Sequence, residues 1–556
     1  MNEQRIGVFV CHCGKNIGGF IDVPGVVDYA KTLPNVVHAE HNLYTCSEDG
    51  RKAIKKAIEE QDLNRVIVAS CTPRTHEKLF RSTCKEAGLN PYLFEFVNIR
   101  EHCSWVHMNE PERAIAKAKD LIRAGVAKAR FLESLEELKI DVESKALVIG
   151  AGVAGLTASL TLANYGIETY LVEKEKELGG MVRQLNKLYF TNQAPLDFLK
   201  PLIEKVVKHK KIKVLTKSNI EDVEGYIGNY IVTISDHKRK LKLKVGTIIV
   251  AIGAIEYEPT DLYGYGKNEN VITQLQLEKL LRAGKLIDVN NIIIIQCVGA
   301  RGQVFSYCSR ICCINAIKNA ILIKETLPKT KISVLHNGIQ IYGTEFEELY
   351  RKSRELGVRF KKYSSERLPE VVLENGKTKV KFYHELLNRT FEYDTDLVVL
   401  STPLIQNPDA EKLSKFLKVP LGQDGFFAEA HVKLRPLEFA TDGIYLCGTA
   451  HSPKDVKEST VQALGAASRA SVPLINGYVL TEPTNAIVNK DRCSTCGICI
   501  SLCPYSAIER DEERRAKVIE AVCKGCGACS SACPSGAIKM NHFTDKQIYA
   551  QVSALL

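Results

Sequence analysis

The sequence predicts a multidomain α/β chain: an N-terminal α/β domain, two nested nucleotide-type domains in the middle, and a small α+β domain near the C-terminus. Three observations predict this. Cysteines follow two strand-like apolar runs in the first 140 residues. A G-x-G-x-x-G stands between a strand-like run and a helical stretch at 145–165. Two copies of C-x2-C-x2-C-x3-C-P stand in tandem near the C-terminus. A chain of 556 residues holds several domains at a soft prior of about 150 residues each. The expected divisions are 1–140, 141–260, 261–430, 431–478 and 479–556, with the second and fourth forming one domain that the third interrupts.

In the first domain, residues 6–10 and 65–70 read as strands and 50–61 as a helix by period. The strands run into Cys11-His12-Cys13-Gly14 and Cys71-Thr72-Pro73. Strand ends on one edge of an α/β sheet are where ligands usually sit. Cys11, Cys13, Cys46 and Cys71 can therefore form a metal or thiol site. Buried structural cysteine is the competing reading and the one the spacing favours. Residues 111–138 read as a long helix, and Trp105, the only tryptophan, as a core or interface residue.

In the middle, Lys145–Ile149 is a short apolar run of buried-strand type, followed by Gly150-Ala151-Gly152-Val153-Ala154-Gly155. Residues 156–165 read as a helix, and 168–173 as a strand ending in Glu173. Strand, glycine turn, helix and an acid about 20 residues on make up the dinucleotide fingerprint. Gly150 is expected to make the tight turn, Gly152 to admit a pyrophosphate, and Gly155 to let helix pack on strand. Glu173 is expected to hold ribose hydroxyls. The next segments choose FAD. Gly179-Gly180-Met181 resembles the L-G-G segment of two-dinucleotide-domain flavoproteins. Residues 247–253, ending in Ala251-Ile252-Gly253, resemble their A-x-G strand, and 441–448, ending in Gly448, their last FAD strand. Thr449 stands where those proteins usually carry an aspartate.

The interrupting domain opens with an apolar run at 291–296. Its turn, Cys297-Val298-Gly299-Ala300-Arg301-Gly302, is not a G-x-G-x-x-G, so an NAD(P)H site is poorly supported. Cys297, Cys308, Cys312 and Cys313 stand in its place. They suffice for a [4Fe–4S] cluster. A redox disulfide and ordinary core cysteines compete with that reading.

The C-terminal runs are Cys493, Cys496, Cys499, Cys503 and Cys523, Cys526, Cys529, Cys533, each followed by proline. This is the ligand pattern of a bacterial-type ferredoxin with two [4Fe–4S] clusters, in which the fourth cysteine of each run serves the other cluster. The implied sets are Cys493, Cys496, Cys499 with Cys533, and Cys523, Cys526, Cys529 with Cys503. Zinc knuckles are the weaker reading.

Composition agrees. The chain is 45% hydrophobic and 25% charged, ordinary for a globular protein. Its net charge of +10 is mild, and the lysine clusters at 205–217 and 238–244 read as solvated faces, so no nucleic-acid partner is expected. No apolar run approaches the roughly 18 residues of a membrane span, and no secretory leader is visible. A cytoplasmic protein is expected, since iron–sulfur clusters need a reducing compartment.

With these segments in place, the chain resembles the A subunit of heterodisulfide reductase, from about residue 6 to residue 540. The resemblance rests on Cys11-His12-Cys13-Gly14-Lys15-Asn16-Ile17, Ala69-Ser70-Cys71-Thr72-Pro73-Arg74-Thr75-His76, residues 98–107, Tyr307-Cys308-Ser309-Arg310-Ile311-Cys312-Cys313, Pro453-Lys454-Asp455 and the tandem runs. It implies FAD in a thioredoxin-reductase-like fold with several [4Fe–4S] clusters. It also implies an assembly with B and C type subunits, an electron-donor protein, ferredoxin as an acceptor, and room for a homodimer within the complex. Lys454 is the residue expected to tune the flavin. The family's longer form carries another ferredoxin segment after the G-G-M region. Residues 189–246 contain no cysteine, so that segment is absent, and a shorter paralogue feeding a different acceptor is an alternative. The expected function is a converter of flavin electron pairs into single electrons, and the resemblance further implies bifurcation of each pair between ferredoxin and a disulfide branch, which the absent segment calls into question. A self-contained NAD(P)H-dependent disulfide reductase and a non-catalytic ferredoxin-type adaptor are the rival readings.

Overall fold

The computed structural model describes residues 3–189, 191–236 and 239–556. The chain divides into two compact units, residues 141–479 and residues 1–140 with 480–556. No helix among the described residues is long and apolar enough to cross a membrane.

The first unit opens with a four-stranded parallel sheet in the order Val36–Asn42, Ile6–Cys11, Arg65–Ser70, Phe94–Asn98. Ile6–Cys11 is buried along its whole length, as a strand covered on both faces must be. The helix from Pro111 ends at Ala129, earlier than the expected 138. Leu132 beyond it is nevertheless buried in the same core. Trp105 is 45% exposed, stacked under the Arg100 guanidinium, and is not a core residue.

The C-terminal segment of this unit packs back on that domain. Its last helix, Asp545–Leu555, lies against Pro111–Ala129. Gln547 donates to the Phe131 carbonyl at 2.9 Å, and the His542 and Tyr92 rings meet edge to face. Arg81 donates two hydrogen bonds to the Glu482 carboxylate. The two cysteine runs fold as backbone copies. Gly497 and Gly527 take φ of 78° and 79° before short helices, and Thr495 and Gly525 take φ of 58° and 63°.

The second unit contains one architecture twice. A five-stranded parallel sheet has the order Ile444–Leu446, Thr247–Val250, Lys145–Ile149, Glu168–Val172, Ile212–Leu215. Its companion is a three-stranded antiparallel sheet, Ser218–Glu224, Tyr230–Asp236 and Arg239–Val245. The inserted half repeats this with a parallel sheet in the order Val271–Thr273, Leu397–Leu400, Asn291–Ile295, Lys331–His336, Arg359–Lys362, and a second antiparallel sheet from Glu370 to Thr395. A two-stranded ribbon, Ala254–Glu256 with Leu404–Gln406, carries the chain out and back. The return comes earlier than residue 430. Ala410, Leu413, Leu417 and Phe427 share a core with Leu147 and Ile149, because helix Ala410–Leu417 packs on strand Ser218–Glu224 of the first half rather than on the insert.

Candidate functional site

The glycine turn at 150–155 fixes one wall of the main cavity, and each glycine is required for a different reason. Gly150 has φ of 100°, and a Cβ there would lie 2.4 Å from the Ala251 carbonyl oxygen. At Gly155 a Cβ would fall 1.7 Å from the Gly150 carbonyl oxygen, so helix Val153–Asn164 reaches the strand only without a side chain. At Gly152 a Cβ would meet nothing within 4 Å; it would point into open space. That is the cradle that a pyrophosphate approaching a helix N-terminus needs.

The open space is a cavity of about 1270 Å³. Gly150, Gly152, Glu173, Gly180 and Met181 line it, as do Ala251, Gly253 and Lys454. Gly155 and Gly448 are not among its lining residues, and a Cβ at Gly448 would lie 2.7 Å from Ala154 Cβ. Glu173 is buried, and its carboxylate accepts from Ala151 N–H at 2.7 Å and Glu175 N–H at 3.0 Å. Each oxygen keeps a lone pair, so the group can still accept from ribose hydroxyls. Thr449, where an aspartate is usual in related flavoproteins, presents a neutral hydroxyl to the same cavity. The residues present therefore fit an extended FAD, with Glu173 and Lys454 both lining the cavity that would hold it.

Lys454 is buried. Its ammonium donates to Gly448 O at 2.9 Å, Ser452 O at 2.7 Å and Ser452 Oγ at 3.0 Å. Burial pulls its pKa down to about 8, against the opposing pull of Glu458. A cation that expensive to bury has a local reason to be there.

The inner cysteines converge beside this cavity. Cys297 sits in the turn after Asn291–Ile295 with φ of 63°, and Cys312 and Cys313 open helix Cys312–Thr326. Burial raises the Cys312 thiol well above its usual range, and the charges of Cys313, Cys308 and Cys297 raise it further. Burial also lifts Cys313, to about 11. Cys312 lines the flavin cavity itself.

In the first unit, Cys11, Cys13, Cys46 and Cys71 also converge. Burial raises the Cys46 thiol, and the charges of Cys11, Cys71 and Cys13 add to it. Cys11 Sγ accepts from the N–H groups of Cys13 at 3.3 Å and Thr45 at 3.4 Å. Arg100, which sequence reasoning did not single out, donates to Cys13 Sγ at 3.7 Å. It lies on a π-helical turn, Arg100–Ser104, of the kind that often marks functional sites. This grouping counts against isolated core cysteines.

The C-terminal cysteines enclose two small spaces. Cys493, Cys496, Cys499 and Cys533 line one, and Cys503, Cys523, Cys526 and Cys529 the other. The grouping follows the crossed sets. Among the described residues, no three His, Cys, Asp or Glu side chains converge as a single metal ion requires. A cubane takes each thiolate on a different iron, so its ligands surround a volume instead.

Comparison with known proteins agrees with this geometry. Residues 144–299 match the pyridine nucleotide-disulphide oxidoreductase family model, and residues 486–540 a 4Fe-4S dicluster domain. The A subunit of the H(2):CoB-CoM heterodisulfide,ferredoxin reductase of Methanothermobacter marburgensis is 41% identical across 100% of this chain and 98% of its own. The chain belongs to the family of heterodisulfide reductase A subunits. An iron-sulfur A subunit of the CoB–CoM heterodisulfide reductase of Methanopyrus kandleri is likewise 41% identical, over 99% of this chain and 98% of its own. A protein of Archaeoglobus profundus named as similar to the heterodisulfide reductase A subunit is 36% identical over 100% and 98%. The first alignment spans 650 positions against 556 residues here, so that relative carries internal residues this chain lacks. Solved thioredoxin reductases from T. acidophilum and Lactococcus lactis align with 60% of the chain, and with 99% and 100% of their own, at TM-score 0.42 and at 14% and 16% identity. That score is too low to add to the topology described above. As a member of this family the chain is an oxidoreductase subunit that uses FAD and 4Fe–4S clusters.

The glycine geometry makes a paired prediction. Gly155→Ala costs about 3 kcal/mol of stability through overpacking. Gly152→Ala shifts stability by less than about 0.5 kcal/mol yet lowers FAD affinity at least tenfold. Thermal unfolding and flavin titration of the two variants check this.

Proposed function

We propose that this chain takes electrons in pairs at the cavity between its two nucleotide-type halves and releases them singly through cysteine-held clusters to other subunits of a heterodisulfide-reductase-like complex. The observation that carries the proposal is Cys312, which lines the same cavity as Gly152 and Lys454. Bound FAD supplies two-electron chemistry, and [4Fe–4S] clusters supply one-electron steps.

In this reading Gly150, Gly152, Gly180 and the N-terminus of helix Val153–Asn164 hold the pyrophosphate, Glu173 the ribose, and Ala251, Gly253 and Thr449 the ring end. The crossed C-terminal sets hold two clusters. Cys297, Cys308, Cys312 and Cys313 hold a third, with Cys312 at the flavin cavity itself. Cys11, Cys13, Cys46 and Cys71 are candidate ligands for a further centre, with Arg100 beside them. B and C type subunits and a donor protein are the expected partners, in the cytoplasm.

The inserted half supports a cluster better than a nicotinamide. Its strand Asn291–Ile295 runs into a turn that carries Cys297 rather than a glycine fingerprint, so nothing there reproduces the cradle of Gly150–Gly155. NADH and NADPH are therefore expected to leave the flavin oxidised in anaerobic stopped-flow mixing. Rapid bleaching by either would favour a self-contained reductase.

Lys454 places a positive charge at the ring end, where it favours anionic reduced flavin. The ionisable groups around it are Glu458, Arg310, Glu429 and the buried Cys447 thiol, which burial keeps neutral by raising it to about 12. With its pKa near 8, the ammonium is charged below that pH and loses its charge above it. The flavin midpoint potential should therefore fall more steeply with pH as the pH passes 8. Lys454→Met should lower the potential at pH 7 and remove that extra step. A redox titration across pH checks both; unchanged potentials would remove Lys454 from the account.

A further inference from the structure

We infer that the buried Lys318–Glu278 pair is a positioning element that fixes the inner cysteine group against the flavin cavity. The inference rests on the proposed electron path and adds what holds that path at its working distance.

The inserted half is joined to the FAD half by the ribbon Ala254–Glu256 with Leu404–Gln406, three residue pairs wide. An isolated two-stranded ribbon is at best marginally stable, so it does not by itself set the angle between two sheets. Two helices of the insert supply further contacts. Glu278, on helix Gln274–Arg282, has no exposed side-chain surface, and Lys318, on helix Cys312–Thr326, has 6%. They form an ion pair across the two helices. Each also reaches the FAD half. Glu278 Oε2 accepts the Asn186 N–H at 2.7 Å, and Lys318 Nζ donates to the Lys187 carbonyl at 3.1 Å. Arg282 adds a hydrogen bond to the Arg183 carbonyl.

These partners belong to the segment that follows the Gly179-Gly180-Met181 turn, and Arg183 and Lys187 line the cavity. On the other side, Ile311 and Asn315 also line it. Asn315 lies one turn before Lys318 on the same helix face, and Ile311, the residue that caps the helix, two turns before it. Cys312 begins that helix. The pair therefore sits where the helix bearing Cys312 and Cys313 meets the wall of the flavin cavity.

An ion pair suits this task better than apolar packing does. Replacing a buried pair by apolar residues of similar size is often neutral for stability. What the pair adds is a single permitted arrangement, because each charge must also meet one backbone group of the opposite half. Apolar side chains would tolerate a rotated insert.

The test uses the full chain, purified anaerobically with its FAD and clusters, carrying Lys318→Met with Glu278→Met. The flavin is photoreduced with EDTA as sacrificial donor. One electron then passes to the inner centre: the flavin is oxidised by one electron and the centre reduced by one, read as the return of flavin absorbance. The expected result is an unchanged flavin content and melting temperature with transfer slowed by about tenfold or more, since small misplacements of reacting groups have effects of that order. Replacing the exposed Lys352–Glu325 pair by methionines should leave the rate unaltered. Should the double variant lose FAD, Glu278→Gln answers the same question, because it keeps an acceptor for Asn186 N–H and removes the charge facing Lys318. Transfer at the wild-type rate in a folded variant overturns the positioning role alone. A wild-type chain whose flavin passes no electron to an inner centre overturns both this role and the proposed path.

Discussion

The turn after strand Lys145–Ile149 in one nucleotide-type half, and after strand Asn291–Ile295 in the other, is the constraint on which the rest of this structure depends. Both halves place a left-handed residue there, Gly150 at φ of 100° and Cys297 at φ of 63°. In the first half the absence of side chains opens a cradle for a pyrophosphate. In the second the same bend carries a thiol, and Cys308, Cys312 and Cys313 gather around it. One scaffold used twice thus yields a nucleotide site on one side and a cysteine group on the other. Because the second half folds back through the Ala254–Glu256 ribbon, the two face one cavity.

Burial sets the chemistry of the groups around that cavity. Cys312, Cys313 and Lys454 are all held away from their charged forms by desolvation. Bound iron would reverse this for the thiols, since a metal favours the thiolate and turns burial from a penalty into insulation. Lys454 is poised differently. Its donors are spent on Gly448 and Ser452, so it acts on the flavin through its charge, which it holds below about pH 8. In the other unit, the C-terminal cysteine runs are docked on the N-terminal domain by Gln547, His542 and Arg81. The two crossed C-terminal sets and the Cys11, Cys13, Cys46 and Cys71 group therefore belong to one compact unit.

Much of this was legible in the sequence because it is written in local rules. The glycine fingerprint, the A-x-G strand and the tandem cysteine runs each depend on contacts within a few residues, and the structure places them as their spacing requires. What was not legible depends on long-range approach. Cys11, Cys13, Cys46 and Cys71 match no ligand run, and only the parallel order of the first sheet brings them together. Arg100 joins them through a π-helical turn with no simple sequence signature. The limit of the insert was misplaced because the apolar face of Ala410–Leu417 fits either half by period, and only packing assigns it to the first. Nothing in the sequence singles out Lys318 and Glu278, which meet only when the two helices are laid together.

The central claim is that the inner cysteines are a redox centre beside the flavin rather than core thiols. Flavin and iron counted together on the anaerobically purified chain test it most directly. The account predicts one FAD and at least about twelve irons per chain, four for each of three clusters. A chain with one FAD and only about eight irons, all of them retained after Cys312→Ser, would confine the clusters to the C-terminal segment and contradict it.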